Sequence, residues 1–391
     1  MTKKPIYLDN SATTPISDAA LNKYNEISTK CYGNPSSLHE AGFLAEQELT
    51  AARKTLLLSV GAANDTAVFT ASGSEANNLA IFGRAFAKER FKRNGKIITT
   101  AGEHASVGAP LQRLASLGFE IVKVPTTGGT LDLDFLSSAL DDRTVLVSMM
   151  MVNNETGALY DLASVARLIK GRSRDALFHV DATQSYLKLP FTKSSIGADM
   201  ITVSSHKIHG PKGVGALIIG SNVIKSGGIS PIIFGGGQEF GLRSGTENVP
   251  AVAAFGVAVS EGMRSVDDFY KHTNELRDYL ISKLSSGVLS EISPTLPLSH
   301  APHIINITLP KIKSETMLHY LSGEGFFVSS GSACSSHGAL HGESALVAFG
   351  RSEKETDSSI RISFSARNTK EDVDALIGAL EAGITRLARM R

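Results

Sequence analysis

Apolar residues along the chain recur in two alternating patterns. Short runs at 67–70, 96–100, 120–124, 144–152, 176–180, 200–204 and 215–219 alternate with stretches of helical period at 74–90, 106–117 and 162–170. Runs such as Val145-Leu146-Val147 have no polar face, as a strand covered on both sides requires. This alternation predicts a mostly parallel sheet packed between helices. The pattern changes near residue 260. A long helical stretch over 249–284 leads to strands at 304–308, 326–329 and 360–364, with helices at 314–322 and from Lys370 onward. The expectation is an α/β chain with a large mostly parallel-sheet domain over 16–260 and a smaller α+β domain from 1–15 and 261–391. The Gly-rich 234–245 and Ser/Gly-rich 329–338 segments are expected to be flexible.

Composition excludes several functions. A hydrophobic share of 42% with 20% charged residues is that of an ordinary soluble globular protein. A net charge of +1 gives no basic field to attract nucleic acid or an anionic membrane. Met1-Thr2-Lys3-Lys4-Pro5 leads into the strand-like Ile6-Tyr7-Leu8 without an apolar signal core. The near-apolar run 249–259 is broken by Pro250 and Gly256, and spanning a bilayer takes roughly 20 apolar residues. A cytoplasmic location is expected. With only Cys31 and Cys334, neither a disulfide framework nor a cysteine-based zinc site is expected. Cys31 reads as structural.

The candidate chemistry sits just after strands. Thr70-Ala71-Ser72-Gly73-Ser74-Glu75 opens a helix with small residues, as an anion cradle does, although Ser74 as an ordinary N-cap explains the segment too. Ser204-Ser205-His206-Lys207 places an amine at the carboxyl edge of the sheet, where it is either a loop lysine or one that condenses with an aldehyde cofactor. Asp181, in His179-Val180-Asp181-Ala182-Thr183-Gln184, ends another strand; it is either a helix cap or the carboxylate that a pyridoxal phosphate (PLP) ring needs at its nitrogen. Gln184 is spaced to bond the ring's phenolic oxygen, and Ser204 and His206 to bond its phosphate. Asn154 and His104 follow two further strands; alone they read as a turn residue and a polar residue near a helix start. The order Asn, Asp, Lys at successive strand ends is far more specific than any one of them. Cys334 lies in Ser329-Ser330-Gly331-Ser332-Ala333-Cys334-Ser335-Ser336-His337-Gly338, a segment too small and polar to bury itself, so its thiol is either reactive or an inert surface group.

These residues resemble the cysteine desulfurases of the nitrogen-fixation and iron–sulfur-cluster type, within the fold-type I PLP enzymes. The similarity is carried by Tyr7 to Pro15, Gly33-Asn34-Pro35-Ser36-Ser37, Gly102-Glu103-His104, Val152 to Gly157, His179 to Gln184, Ser205 to Gly213, Gly235 to Glu239 with Arg243 to Thr246, Ser329 to Cys334, and Ser359 to Ser363. The resemblance implies a PLP-dependent homodimer that converts L-cysteine to L-alanine and hands sulfur to a partner such as an iron–sulfur scaffold. It implies that Lys207 holds the cofactor, Asp181 meets its ring nitrogen, Gln184 meets its phenolic oxygen with Asn154 nearby, and His104 stacks on the ring. Gly73, Ser74, Ser204 and His206, with Thr246 of a second copy, would hold the phosphate. Arg361 and Asn34 would bind the substrate carboxylate, and Cys334 would become the persulfide. Related alternatives are a selenocysteine lyase or cysteine-sulfinate desulfinase, or a catalytically weak sulfur carrier or regulatory homologue. Three features depart from the family: Phe240 where Arg is common, a loosely matching 335–350 segment, and an end at Arg391 soon after the last helix, which leads us to expect a different sulfur acceptor.

Overall fold

The computed structural model describes residues 5–89, 91–173, 175–330 and 344–388. A two-residue strand, β1 (Ile6–Tyr7), precedes a seven-stranded sheet. The sheet is built from β2 (Thr66–Thr70), β3 (Lys96–Thr100), β4 (Glu120–Val124), β5 (Thr144–Met150), β6 (Leu177–Asp181), β7 (Met200–Ser204) and β8 (Gly215–Ile219). Their order is β2-β8-β7-β6-β5-β3-β4. Only β8 runs against its neighbours, so every other strand points its carboxyl end to the same edge.

Strands β3, β5, β7 and β8 are buried throughout. Successive side chains alternate between faces: Ile97, Leu146 and Leu217 join one core, while Ile98, Val147 and Ile218 join the other. Helices cover both faces, which is why these strands carry no polar stripe.

A second sheet, ordered β12-β13-β10-β9, is antiparallel. It comprises β9 (Ser293–Thr295), β10 (Ile304–Thr308), β12 (Ser329–Ser330) and β13 (Ser359–Ser363). The strand expected over 326–329 is two strands, because β11 (Phe326–Phe327) leaves this sheet to pair with β1. The helix Val249–Lys283 ties the two cores together: residues 249–259 contribute to the large one, Leu276 and Leu280 to the small one. Among the described residues, no helix is long and apolar enough to cross a membrane.

The 234–245 segment is tied to the large domain at Glu239. Glu239, buried, accepts two hydrogen bonds from Arg53 at 2.8 and 2.9 Å and one from Phe69 N at 2.8 Å. Phe240 lies under the same guanidinium, 4.9 Å from ring centroid to Arg53 Cζ, so this departure from the family pattern supplies a cation–π contact. In the 335–350 segment, the helix Ala345–Phe349 packs on Gly102, where a Cβ would meet Ala345 Cα at 2.8 Å. The positive φ of Gly102 (82°) also suits glycine.

Candidate active site

Five strand ends and one residue of the smaller sheet build the site. β2 turns into the helix Gly73–Ala85. Its N-cap is Ser72, whose Oγ accepts from Glu75 N at 3.2 Å, so Ser74 is not the cap that the sequence also allowed. Small side chains keep the helix entrance open, since a Cβ on Gly73 would already meet Ser204 Cβ at 3.2 Å. Backbone N–H groups and the positive end of the helix dipole make this a ready anion cradle.

β7 ends beside it and turns tightly through Ser205–Lys207. Lys207 Nζ donates to the carbonyls of Ser11 (2.5 Å) and Ala12 (2.8 Å). His206 bonds Thr13 Oγ1 through Nδ1 at 3.1 Å; burial, then the nearby Lys207 cation, push its pKa down to about 4, so the ring is neutral at neutral pH.

β6 ends at Asp181, which is buried. Its Oδ1 accepts from Thr183 N at 2.9 Å and its Oδ2 from Asn77 Nδ2 at 2.8 Å. Asp181 therefore closes a turn and caps no helix. β5 leads to Asn154 and β3 to Glu103 and His104. His104 is the N-cap of the helix Ala105–Ser116, its Nδ1 accepting from Ser106 N at 3.1 Å, and it also forms part of the cavity wall. Glu103 Oε1 accepts from Thr100 Oγ1 (2.5 Å) and Met150 N (2.9 Å), while its buried Oε2 meets no partner among the described residues. Burial pushes this carboxyl up to about 8.

The small sheet contributes Arg361 from β13. Its guanidinium donates to Glu155 Oε1 (2.8 Å), Asp9 Oδ1 (3.0 Å) and the Asn154 carbonyl (3.0 Å). Burial raises the pKa of both carboxyls, and the Arg361 charge opposes that rise. Arg361 thus ties the amino-terminal segment and the end of β5 to the small sheet.

Together these groups line a cavity of about 350 Å³. Gly73, Ser74, His104, Asn154, Asp181, Gln184, Ser204, His206, Lys207 and Arg361 all face it. Asn34 and Thr246 do not: Asn34 Oδ1 accepts from Ser36 N at 3.0 Å in an exposed turn, and Thr246 is exposed elsewhere on the surface. Cys334 lies outside the described residues. Cys31 is buried and its thiol is pushed up by burial, then by Glu48, in keeping with a structural role. Sequence reasoning missed Asn77 and the pairing of Asp9 and Glu155 with Arg361. Asn77 lies one turn along from Gly73, on the same helix face. Asp9 and Arg361 are 352 residues apart, with no local signal joining them.

The aminotransferase class-V pattern matches residues 6–376. A NifS/IcsS protein homolog of Lactobacillus delbrueckii subsp. bulgaricus is 38% identical over 96% of each chain. Cysteine desulfurase IscS 1 of Archaeoglobus fulgidus is 36% identical over 98% of each. A solved NifS-like protein superposes with a TM-score of 0.89 at 33% identity, covering 98% of this chain and 99% of its own. The chain belongs to the class-V aminotransferase family, among its NifS- and IscS-type cysteine desulfurases.

Proposed function

We propose that the protein is a PLP-dependent cysteine desulfurase that converts L-cysteine to L-alanine and receives the sulfur on Cys334 as a persulfide, for iron–sulfur cluster or other thio-cofactor synthesis. The observation that carries this reading is the convergence of three complementary groups on one cavity: the Gly73 helix entrance, the Asp181 carboxylate and the Lys207 amine.

The residues fit the cofactor. The cradle suits a phosphate, with the Ser74 and Ser204 hydroxyls and the neutral His206 beside it. Asp181, buried and bonded among the described residues to an amide and a backbone N–H, suits a protonated ring nitrogen. Gln184 would bond the phenolic oxygen, with Asn154 nearby, and His104 would stack on the ring. When bound, PLP supplies an electron sink for a substrate carbanion.

The chain's own groups do the rest. Arg361 receives the substrate carboxylate. Lys207 takes and returns the Cα proton, assisted by His104. The Cys334 thiolate attacks the substrate sulfur, the carbon–sulfur bond breaks, and the carbon skeleton leaves as alanine. Cysteine and thiol are thereby exchanged for alanine and persulfide, with no outside oxidant.

The protein acts as a homodimer in the cytoplasm, its two domains dividing near residue 260. Support for the dimer comes from Leu38, Phe43, Phe234 and Phe240, all exposed, on the same subunit as the exposed Thr246 that would reach a second copy's phosphate cradle. The test loads wild type and Lys207→Ala with PLP and measures the visible spectrum and alanine release from L-cysteine. Wild type alone should show the band of lysine-bound cofactor and release alanine. A Lys207→Ala protein that matched wild type in both would refute the assignment.

A further inference from the structure

Lys188 is a buried lysine to which the reaction above gives no role. It is 5% exposed, and its one hydrogen bond among the described residues is to Gln184 Oε1, at 3.3 Å. Gln184 in turn donates through Nε2 to the Ser11 carbonyl at 2.9 Å. That carbonyl also accepts from Lys207 Nζ at 2.5 Å. A continuous path thus runs from Lys188 through Gln184 and Ser11 to Lys207.

The chemistry of the end groups fixes the direction of the amide between them. The Ser11 carbonyl can only accept, and an ammonium can only donate. Gln184 satisfies both in one orientation alone, with Oε1 towards Lys188 and Nε2 towards Ser11. An amide nitrogen carries two hydrogens, and Ser11 uses one. The second has no use in this network, and Gln184 is one of the residues that line the cavity. The Ser11 carbonyl already favours this orientation, and Lys188 adds a second fixed point at Oε1 that holds the amide in place.

The backbone is bent to deliver Lys188 there. The preceding Leu187 has φ of 54°, a conformation L side chains rarely adopt. Leu187 is seated against Gly262, where a Cβ would meet its Cδ1 at 2.9 Å. Lys188 and Lys207 also both line a second cavity of about 200 Å³ behind the site, with Glu261 and Arg367.

We propose that Lys188 is a positioning residue: it locks the Gln184 amide with an N–H presented to the cofactor's phenolic oxygen, and holds the Ser11 carbonyl that receives Lys207. The inference rests on the cavity being the PLP site. Burial, then the Lys207 and Arg361 cations, bring the Lys188 pKa down to about 7. The contact survives this, because amine and ammonium both donate.

The test is a double-mutant cycle on PLP affinity, read by titrating cofactor into apoprotein, with the visible band position as a second signal and apoprotein melting as the control for folding. Lys188→Met should weaken PLP binding roughly tenfold, the worth of one hydrogen bond from a charged group, and shift the band. In a Gln184→Leu background the same change should have no further effect on either readout. Lys188→Gln, a polar replacement too short to make the contact, gives a second cycle in case the methionine variant does not fold. Equal losses in both backgrounds, or no loss in either, would overturn the inference while leaving the cofactor site intact. Failure of the wild type to bind PLP would overturn both.

Discussion

Replacing Arg361 with Met separates its structural work from its substrate work. The change deletes donors to Glu155, Asp9 and the Asn154 carbonyl at 2.8 to 3.0 Å, and leaves two carboxyls facing each other without their cation. The side chains are 5% exposed for Arg361, 10% for Glu155 and 21% for Asp9, so water replaces the lost bonds poorly. Removing one partner of such a buried pair costs about 3–5 kcal/mol. For 391 residues the unfolding entropy is about 0.8 kcal/mol/K, so the melting temperature should fall by about 5 °C. The loss should depend on pH with a definite sign. Both carboxyls already have raised pKa values, and without Arg361 they rise further. Their folded forms then hold more protons than the unfolded chain, so stability falls as pH rises from the ordinary carboxylate range. The variant should therefore be least stable in base and recover in acid. Adding Asp9→Asn and Glu155→Gln removes the orphaned charges; stability should return, whereas kcat/KM for cysteine should stay down by roughly 100-fold, as expected when a charged carboxylate loses its partner. Calorimetry from pH 5 to 9 with steady-state kinetics reads both. A single variant that melted within about 1 °C of wild type at pH 8, or a triple variant with restored kcat/KM, would refute this reasoning.

Other expectations follow from the same contacts. Glu103, pushed up to about 8, contributes stability that is full below the ordinary Glu range and is lost as pH rises through that value; Glu103→Gln should flatten the profile and melt above wild type near pH 9. Glu239→Ala removes a buried carboxylate from Arg53 and from Phe69 N, which should cost about 3–5 kcal/mol and open the 234–245 segment to protease. Asn77→Ala frees Asp181 Oδ2 and should weaken PLP binding roughly tenfold with little change in apoprotein melting.

The large sheet was legible because its strands are apolar on both faces, a pattern that Val145-Leu146-Val147 shares with few helices. Its chemistry was legible because each functional group follows a strand closely: Asp181 ends β6, and Lys207 lies three residues past β7. Pairings between distant segments were not. Nothing near Asp9 announces Arg361, and the parallel bridge between Asp9, just past β1, and Ser363 of β13 is set by tertiary packing alone. The split at Val328 was also hidden, because one short run of residues feeds two different sheets. Leu187 shows a further limit: a bulky residue at positive φ contradicts local propensity, and only the Lys188 contact and the seat on Gly262 account for it.

The most direct test of the desulfurase reading compares wild type with Cys334→Ala, both loaded with PLP and given L-cysteine, and follows alanine release together with the mass of the protein. Wild type should release alanine and gain one sulfur atom on Cys334, while the variant should bind PLP normally and do neither. Alanine release by Cys334→Ala at the wild-type rate would contradict the proposed sulfur transfer.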